Sequence, residues 1–499
     1  MSLLGIDVGT TGCKVLAISS EGQIITLQQC EYNLQRPQTG WAELDSRAVW
    51  ASIKDVLRSV VAETKHDPVT ALSVSSMGEA ITPVSANREI LGNSLMGFDE
   101  RGTETVQHLQ QIDPTSFLRR SGNIVTNMMG GPKLVWLRDN QPELFEKTYK
   151  FLNWADLVSY LQGGDPVTNY GLANRTLFFD LEGERWSKET LDYVGMPIEK
   201  LPDVAPSGTP IGEVSSEMQR ELGLPPGVKI IVGAHDQCAN GLGAGVSKPG
   251  MAVYAIGTFI VIVPAYDRIP PADQMLAIQL NVEHAALPDM YVSFYYNLTG
   301  GSLLKWFRDN FTAAEHAAAR QQGVDIYDLL LAEMPPEPSS VLVLPHFGVT
   351  GAPYYDERPY GLIAGLTLGT TRGEYVRGLL EGATYYFREG LELMEAAQIH
   401  IDEFRAVGGG AKSDTWMQIK ANILERPLVR PRMTEATALG VAALAGLGGG
   451  VYSSVDEAMG QLIQIDRVFE PDLRWKPAYD EQFARYKKMY AAAKSLRDL

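Results

Sequence analysis

The chain opens with a strand that turns on a glycine and comes straight back, and this constrains the fold more than any other feature. Leu3 to Asp7 reads as a buried strand, Val8-Gly9-Thr10-Thr11-Gly12 as a tight turn, and Lys14 to Ser19 as a second strand. Glu21-Gly22 marks another turn, and Gln23 to Gln28 a third strand. A strand that feeds a hairpin is not the start of a dinucleotide fingerprint, which needs a helix next. Nor is it a Walker loop, which needs Gly-Lys-Ser/Thr. The same device returns later as Met251 to Ile256, Gly257-Thr258, and Phe259 to Pro264. Its recurrence at the head of each half predicts two domains of related design. Ser247-Lys248-Pro249-Gly250 breaks the chain just before the second copy, so the expected domains are 1–246 and 247–499. At 499 residues the chain is also longer than one hydrophobic core usually covers.

Between these hairpins the pattern alternates strand and helix. Asp45 offers an N-cap to a helix whose apolar stripe is Trp50, Ile53, Val56, Leu57, Val60 and Val61. Ala71 to Ser75 is a short buried strand ending at Ser76-Met77-Gly78-Glu79, and Val228 to Gly233 is another ending at Ala234-His235-Asp236. Lys133 to Arg138 and Ala155 to Leu161 read as helices. The small residues from Asn240 to Gly245 suit tight helix packing. In the second half, Arg377, Leu380, Glu381 and Thr384 share one long helix, and Thr434 to Leu447 forms an Ala-rich helix. Phe404 to Val407 is a strand entering Gly408-Gly409-Gly410, and Phe483, Tyr486 and Tyr490 form a docking face at helical spacing.

The formal net charge of -17 repels phosphate backbones and anionic lipid, so neither nucleic acid nor a membrane surface is an expected partner. Cys13, Cys30 and Cys238 form no CxxC pair, and the histidines show no ligand spacing, which excludes a disulfide framework and a zinc site from the expectations. With no signal-like start and no long apolar run, a cytoplasmic protein is expected.

Asp7 through Gly12 combines a strand-end carboxylate, which can hold Mg²⁺ through water, with glycines and threonines that let backbone N–H groups approach a phosphate. An ordinary hairpin explains the same residues. Asp236 lies where α/β proteins place ligands, at the C-terminal end of an apolar strand. It is the candidate base for activating a hydroxyl, with a helix N-cap as its alternative role. Glu79, Asp99 and Arg101 are candidate acceptor contacts, because alternating carboxylate and guanidinium groups suit a ligand whose every hydroxyl both donates and accepts. A surface salt-bridge pair is their plainer reading. Gly408-Gly409-Gly410-Ala411, running into Lys412-Ser413, permits close approach by a flat or phosphorylated ligand, and a flexible loop explains the same residues.

Taken in order, these segments resemble the FGGY carbohydrate kinases, the family of glycerol kinase, xylulokinase, ribulokinase and gluconokinase. The resemblance is carried by Gly5-Ile6-Asp7-Val8-Gly9-Thr10-Thr11, Gly40-Trp41-Ala42-Glu43, Pro132-Lys133-Leu134-Val135-Trp136-Leu137 and Gly233-Ala234-His235-Asp236-Gln237. It continues through Gly300-Gly301-Ser302-Leu303-Leu304-Lys305-Trp306, Gly361-Leu362-Ile363-Ala364-Gly365-Leu366, Arg377-Gly378-Leu379-Leu380-Glu381-Gly382, Gly408 to Ser413, and Glu435-Ala436-Thr437-Ala438-Leu439-Gly440.

The resemblance implies an α/β fold of two actin-like (ribonuclease H-like) domains closing over a central cleft, with acceptor held mainly by the first and MgATP mainly by the second. It implies a phosphotransferase using ATP and Mg²⁺, with Asp236 as catalytic base and Asp7 and Asp236 near the metal. Met77, Gly78, Glu79, Asp99, Arg101, Asp236 and Gln237 fall on the acceptor side by position. Thr10, Thr11, Lys14, Gly257, Thr258, Gly300, Gly301, Gly409, Gly410, Ala411 and Ser413 fall on the nucleotide side. A small sugar or polyol is the implied partner, and a homodimer the one assembly considered.

The acceptor favoured is a ketopentose. Glycerol, a tetritol or gluconate is the alternative, and a nucleotide-gated sugar sensor without turnover is the rival of another class. Two departures bear on this. Xylulokinases usually read Ser-Met-His-Gly where this chain has Ser76-Met77-Gly78-Glu79, and glycerol kinases carry an Arg before the Glu. Gly78 in that place suggests room for an acceptor larger than glycerol, and Phe259 is expected to narrow the phosphate site.

Overall fold

Ser2–Val8, Gly12–Ser19 and Ile24–Glu31 form the expected antiparallel meander in the computed structural model, which describes residues 1–433 and 435–498. Ser2–Val8 also pairs in parallel with Val69–Ser76, which pairs in parallel with Lys229–His235, and Pro210–Glu213 closes the edge antiparallel. The second sheet repeats this plan. Met251–Ile256 and Ile260–Tyr266 make the hairpin, with Tyr291–Val292 and Tyr295–Asn297 in the third position of the meander. Met251–Ile256 then pairs in parallel with Glu403–Val407, and that strand with Leu428–Pro431, while Ile465–Phe469 closes the edge antiparallel. The repeated strand–Gly-Thr–strand device is therefore a duplicated sheet, not a chance likeness.

This topology collects the candidate residues. Three parallel strands of the first sheet end together at Val8, Ser76 and His235, since Val8 and His235 both pair with Ser76. Asp7, Met77 to Glu79 and Asp236 therefore emerge along one edge. In the second sheet Ile256, Val407 and Pro431 end together and deliver Gly257-Thr258 and Gly408 to Gly410 to the equivalent edge.

Both faces of the first sheet are covered. The Ser46–Glu63 helix, capped by an Asp45 carboxylate that accepts from the Ala48 amide at 3.0 Å, turns Val49, Ile53, Leu57 and Val60 inward. Its neighbour on that side is Trp154–Gln162. The opposite face is covered by Ala436–Gly449, a helix that comes from the second half of the sequence. Thr434, where the sequence reading begins this helix, lies outside the described residues. The helix lies so close that a Cβ on Gly5 would sit 1.9 Å from the Ala438 carbonyl oxygen. Asp236–Gly243 crosses it backbone to backbone: a Cβ on Gly243 would lie 1.8 Å from Ala436 O, and one on Gly440 1.9 Å from Ala239 O. The small residues thus mark where the two halves meet.

Phe483 and Tyr486 are buried as a docking face, and Tyr490 packs on Tyr354 with ring centroids 4.0 Å apart. The long helix is Arg372–Ala396, opened by a capping box of Thr371 and Glu374. Within it Arg377 binds Glu381 at 2.7 Å and the Tyr479 hydroxyl at 2.8 Å, a buried structural tie. Among the described residues no helix is long and apolar enough to cross a membrane.

Candidate active site

Asp236 is the first residue of its helix, and the N-cap position falls to His235, so the capping alternative for Asp236 does not describe its place. Its side chain is 27% exposed. Burial raises its pKa and the Glu79 carboxylate adds to this, while His235, the Gln237 amide and Arg175 work the other way. Burial likewise pushes the Asp7 carboxyl up to about 7. The Asp236 charge adds to the shift, against the Ser75 hydroxyl, which donates to Asp7 at 3.0 Å, and against Lys14. The Asp7 and Asp236 carboxylates thus lie near enough on this edge to influence one another, and their hard oxygens are donors of the kind that fits Mg²⁺.

Lys14 lies opposite Asp7 in the hairpin and pairs with Glu435 at 2.5 Å, tying the first turn to the segment that enters the crossing helix. Thr10 is half-buried and Thr11 exposed in the turn. The turn is held by the Gly9 amide donating to Gly12 O at 2.9 Å and by the Tyr32 hydroxyl donating to Gly9 O at 2.7 Å. Tyr32 was not singled out from the sequence. Its place just past the end of the third strand shows only once the meander is paired.

On the acceptor side the Met77 amide donates to Val8 O at 3.1 Å, which joins two strand ends. Glu79 accepts through Oε1 from Arg175, at 2.6 Å from Nε and also from Nη2. The room expected at Gly78 is not there. A Cβ on Gly78 would lie 3.0 Å from Arg175 Cγ, 3.1 Å from its Nε and 3.1 Å from His235 Nε2. The space is filled by Arg175, so Gly78 does not by itself enlarge the acceptor site.

Asp99 and Arg101 are spent on each other. Asp99 is fully buried and accepts from the Ala42 amide at 2.6 Å and from Arg101 Nε and Nη2 at 2.8 and 2.6 Å. Burial alone would raise its pKa, but Arg101 and the Ala42 and Arg101 amides outweigh it and hold the carboxyl below the usual range. Arg101 also binds Glu43 at 2.6 Å and lies over Trp41. The structure gives this pair a buried framework position instead of an open face toward acceptor. Lys133 does comparable work nearby. It is buried, donates to the carbonyls of Gly97 and Met129 at 2.8 and 3.0 Å and to that of Asn127, and burial pushes its pKa down to about 8.

Sequence reasoning missed the polar chain behind Asp236. His235 Nε2 is 3.2 Å from Asp236 Oδ1, and His235 Nδ1 is 2.7 Å from Glu283 Oε1. Burial disfavours the imidazolium, but Glu283 and Asp236 outweigh it and raise the His235 pKa, with Arg175 opposing. Glu283 is fully buried on an edge strand of the second sheet. No spacing rule pairs His235 with Glu283.

On the other side, the Gly257-Thr258 turn is closed by the Gly257 amide donating to Phe259 O at 3.0 Å. The Gly300–Phe311 helix starts directly on it: a Cβ on Gly301 would lie 1.8 Å from Gly257 O, and one on Gly300 2.4 Å from an Ile260 methyl. Ser302 donates to Thr258 O at 3.1 Å from its hydroxyl. Phe259 is exposed. Gly408 has φ +91°, which a side chain would strain, and a Cβ on Gly410 would strike Ile256 at 2.3 Å, whereas Gly409 has nothing within 4 Å. Ala411 is buried, and the Ser413 hydroxyl caps the next helix by accepting from the Trp416 amide at 3.2 Å. A cavity of about 340 Å³ opens beside this loop, lined by Gly408, Ala411, Lys412, Arg430 and Arg432 among others.

Two independent lines place this architecture. The N-terminal domain profile of the FGGY family of carbohydrate kinases matches residues 2–243, and its C-terminal domain profile matches residues 267–448. The chain belongs to the FGGY family of carbohydrate kinases, ATP-dependent phosphotransferases with an alcohol group as acceptor. It is 29% identical to a glycerol kinase of Chromobacterium violaceum, covering 97% of this chain and 96% of that one. It is 25% identical to a xylulose kinase of Bacillus subtilis (strain 168), covering 99% and 97%. Its fold superposes on the crystal structure of xylulose kinase from Rhodospirillum rubrum with a TM-score of 0.88 at 25% identity, covering 99% of each chain. The two actin-like α/β domains expected from the sequence are thereby the observed architecture.

Proposed function

We propose that the chain transfers the γ-phosphoryl group of MgATP to a hydroxyl of a small sugar or polyol, with Asp236 as the base and a ketopentose as the favoured acceptor. The observation that carries this is the position of Asp236, on the strand edge it shares with Asp7 and Glu79 and partly open to solvent. Phosphoryl transfer asks little covalent chemistry of a protein. It needs the hydroxyl oriented in line, its proton accepted, and the phosphates held. Asp236 orients the hydroxyl and takes its proton, and Glu79 Oε2 accepts from a second hydroxyl. Backbone N–H groups of Thr10, Thr11 and Thr258 in the two turns, together with Gly409 and Gly410, hold the phosphates. Asp7 and Asp236 would hold Mg²⁺, which when bound supplies positive charge to the phosphate oxygens.

In this reading residues 1–246 form the acceptor side and 247–499 the nucleotide side, with the crossing helices as the joint. A cytoplasmic location, where ATP is supplied and Cys13, Cys30 and Cys238 stay as thiols, goes with it.

ADP release measured across a panel of ketopentoses, tetritols, glycerol and gluconate tests the reading. Acceptor-dependent release with at least one member is expected. Tight binding of both ATP and sugar without ADP would replace the kinase with a nucleotide-gated sensor. A second expectation concerns the nucleotide turn. Gly301→Ala forces the helix start off Gly257, so the KM for MgATP should rise roughly tenfold or more while the acceptor KM stays within about twofold.

A further inference from the structure

Gly78 and Arg175 interlock. The Arg175 side chain lies across Gly78 at 3.0–3.1 Å from where a Cβ would be, closer than an ordinary van der Waals contact. Its guanidinium grips one oxygen of Glu79, and among the described residues no donor reaches Glu79 Oε2. Arg175 and Glu79 are 13% and 12% exposed, so both touch the open edge without leaving the protein. A Cβ on Gly97 would lie 3.2 Å from Glu79 Oε2, so that glycine keeps the space beside the free oxygen clear. On its far side Arg175 Nη1 faces Glu283 Oε2 at 3.6 Å, which links the acceptor carboxylate to the edge strand of the second sheet.

The charges around the acceptor edge are unequal. Asp7, Glu79, Asp236 and Glu283 supply carboxylates. Against them stand Arg175, already held between Glu79 and Glu283, His235 between Glu283 and Asp236, and Lys133, whose ammonium is spent on backbone carbonyls. Among the described residues, no guanidinium or ammonium on this edge is left without a partner to receive an acceptor carboxylate.

We propose that Arg175 is a specificity-determining residue of the acceptor site. It fixes Glu79 so that Oε2 accepts from a hydroxyl of a neutral polyol or ketose, and it leaves no cation for an aldonic acid. The inference rests on the kinase reading and narrows its substrate class. Glu79 without its guanidinium would turn freely and lose the pre-set position that a hydroxyl finds.

Steady-state kinetics on the full chain test it. Arg175→Lys keeps the charge but loses the planar fork, and should raise the KM for the best neutral acceptor roughly tenfold. The KM for MgATP should stay within about twofold. Gly78→Ala should give the same pattern by pushing Arg175 aside, and the double variant should be much less impaired than the product of the two single losses, since both act on one contact. Glu79→Gln, which removes a negative charge and frees Arg175, should raise kcat/KM for gluconate relative to the neutral acceptor. ATP binding measured by calorimetry shows that each variant is folded. Folded Arg175→Lys and Gly78→Ala proteins with the wild-type acceptor KM would overturn the inference alone, as would wild-type turnover of gluconate at the rate of the best neutral acceptor. A wild-type protein that releases no ADP with any acceptor would overturn the kinase reading, and this inference with it.

Discussion

Asp236→Asn is expected to lower kcat by on the order of 10²–10⁴ while nucleotide binding persists. Asparagine has nearly the same shape, so the helix that starts at Asp236 and the crossing of that helix with Ala436–Gly449 should survive. What is lost is the acceptor for the hydroxyl proton, and with it a charge that faces Asp7. Because that charge contributes to pushing the Asp7 carboxyl up to about 7, its removal should also return Asp7 part of the way toward an ordinary carboxylate. ADP release with saturating acceptor reads the first effect, and ATP titration reads the retained binding. A near-wild-type rate would remove Asp236 from the role of base.

Gly440→Val is expected to cause the largest loss of stability of any single change considered. The new Cβ would stand 1.9 Å from Ala239 O, 2.8 Å from Ala239 C and 3.0 Å from Gly243 N, all backbone atoms of the crossing helix. Backbone cannot rotate away as a side chain can, so the helices must separate. One covers the first sheet, and the other continues from the Lys229–His235 strand of that sheet. Overpacking of this kind costs about 3 kcal/mol or more. A clear fall in the thermal unfolding midpoint is expected, together with weaker activity, since Asp236 sits on the displaced helix. Gly409→Ala is the contrast, because nothing lies within 4 Å of its Cβ position. That variant should unfold near the wild-type temperature, and any defect should appear in nucleotide affinity. Equal unfolding temperatures for Gly440→Val and wild type would show that the helix crossing does not hold the halves together.

The strand edges were legible in the sequence because they rest on local signals. Alternating or continuous apolar runs ended by Gly, Asp or Ser gave Ser2–Val8, Val69–Ser76, Lys229–His235 and Met251–Ile256 to within a few residues. Asp236 was found in the same way, as a polar residue at the end of an apolar strand. Three things were not legible, and each depends on contacts between distant residues. The Ala-rich Ala436–Gly449 helix gives no sign of packing on the first sheet, because its small residues allow close approach to any partner. Gly78 reads as open space until Arg175 is seen lying in it, 97 positions further on. Asp99 and Arg101 look like groups that could face a ligand, yet the fold buries them against Ala42 and Glu43. In each case the residue type was read correctly and its partner was not, since pairing is set by topology and not by spacing.

The central claim is phosphoryl transfer to a hydroxyl by way of Asp236, and product analysis tests it most directly. The full chain is incubated with MgATP and the acceptor that best stimulates ADP release, and products are followed by phosphorus NMR. The account predicts a new phosphomonoester resonance growing in step with ADP in the wild type and absent, on the same timescale, in Asp236→Asn. ADP forming with inorganic phosphate alone, or a phosphomonoester appearing at the same rate in both proteins, would contradict it.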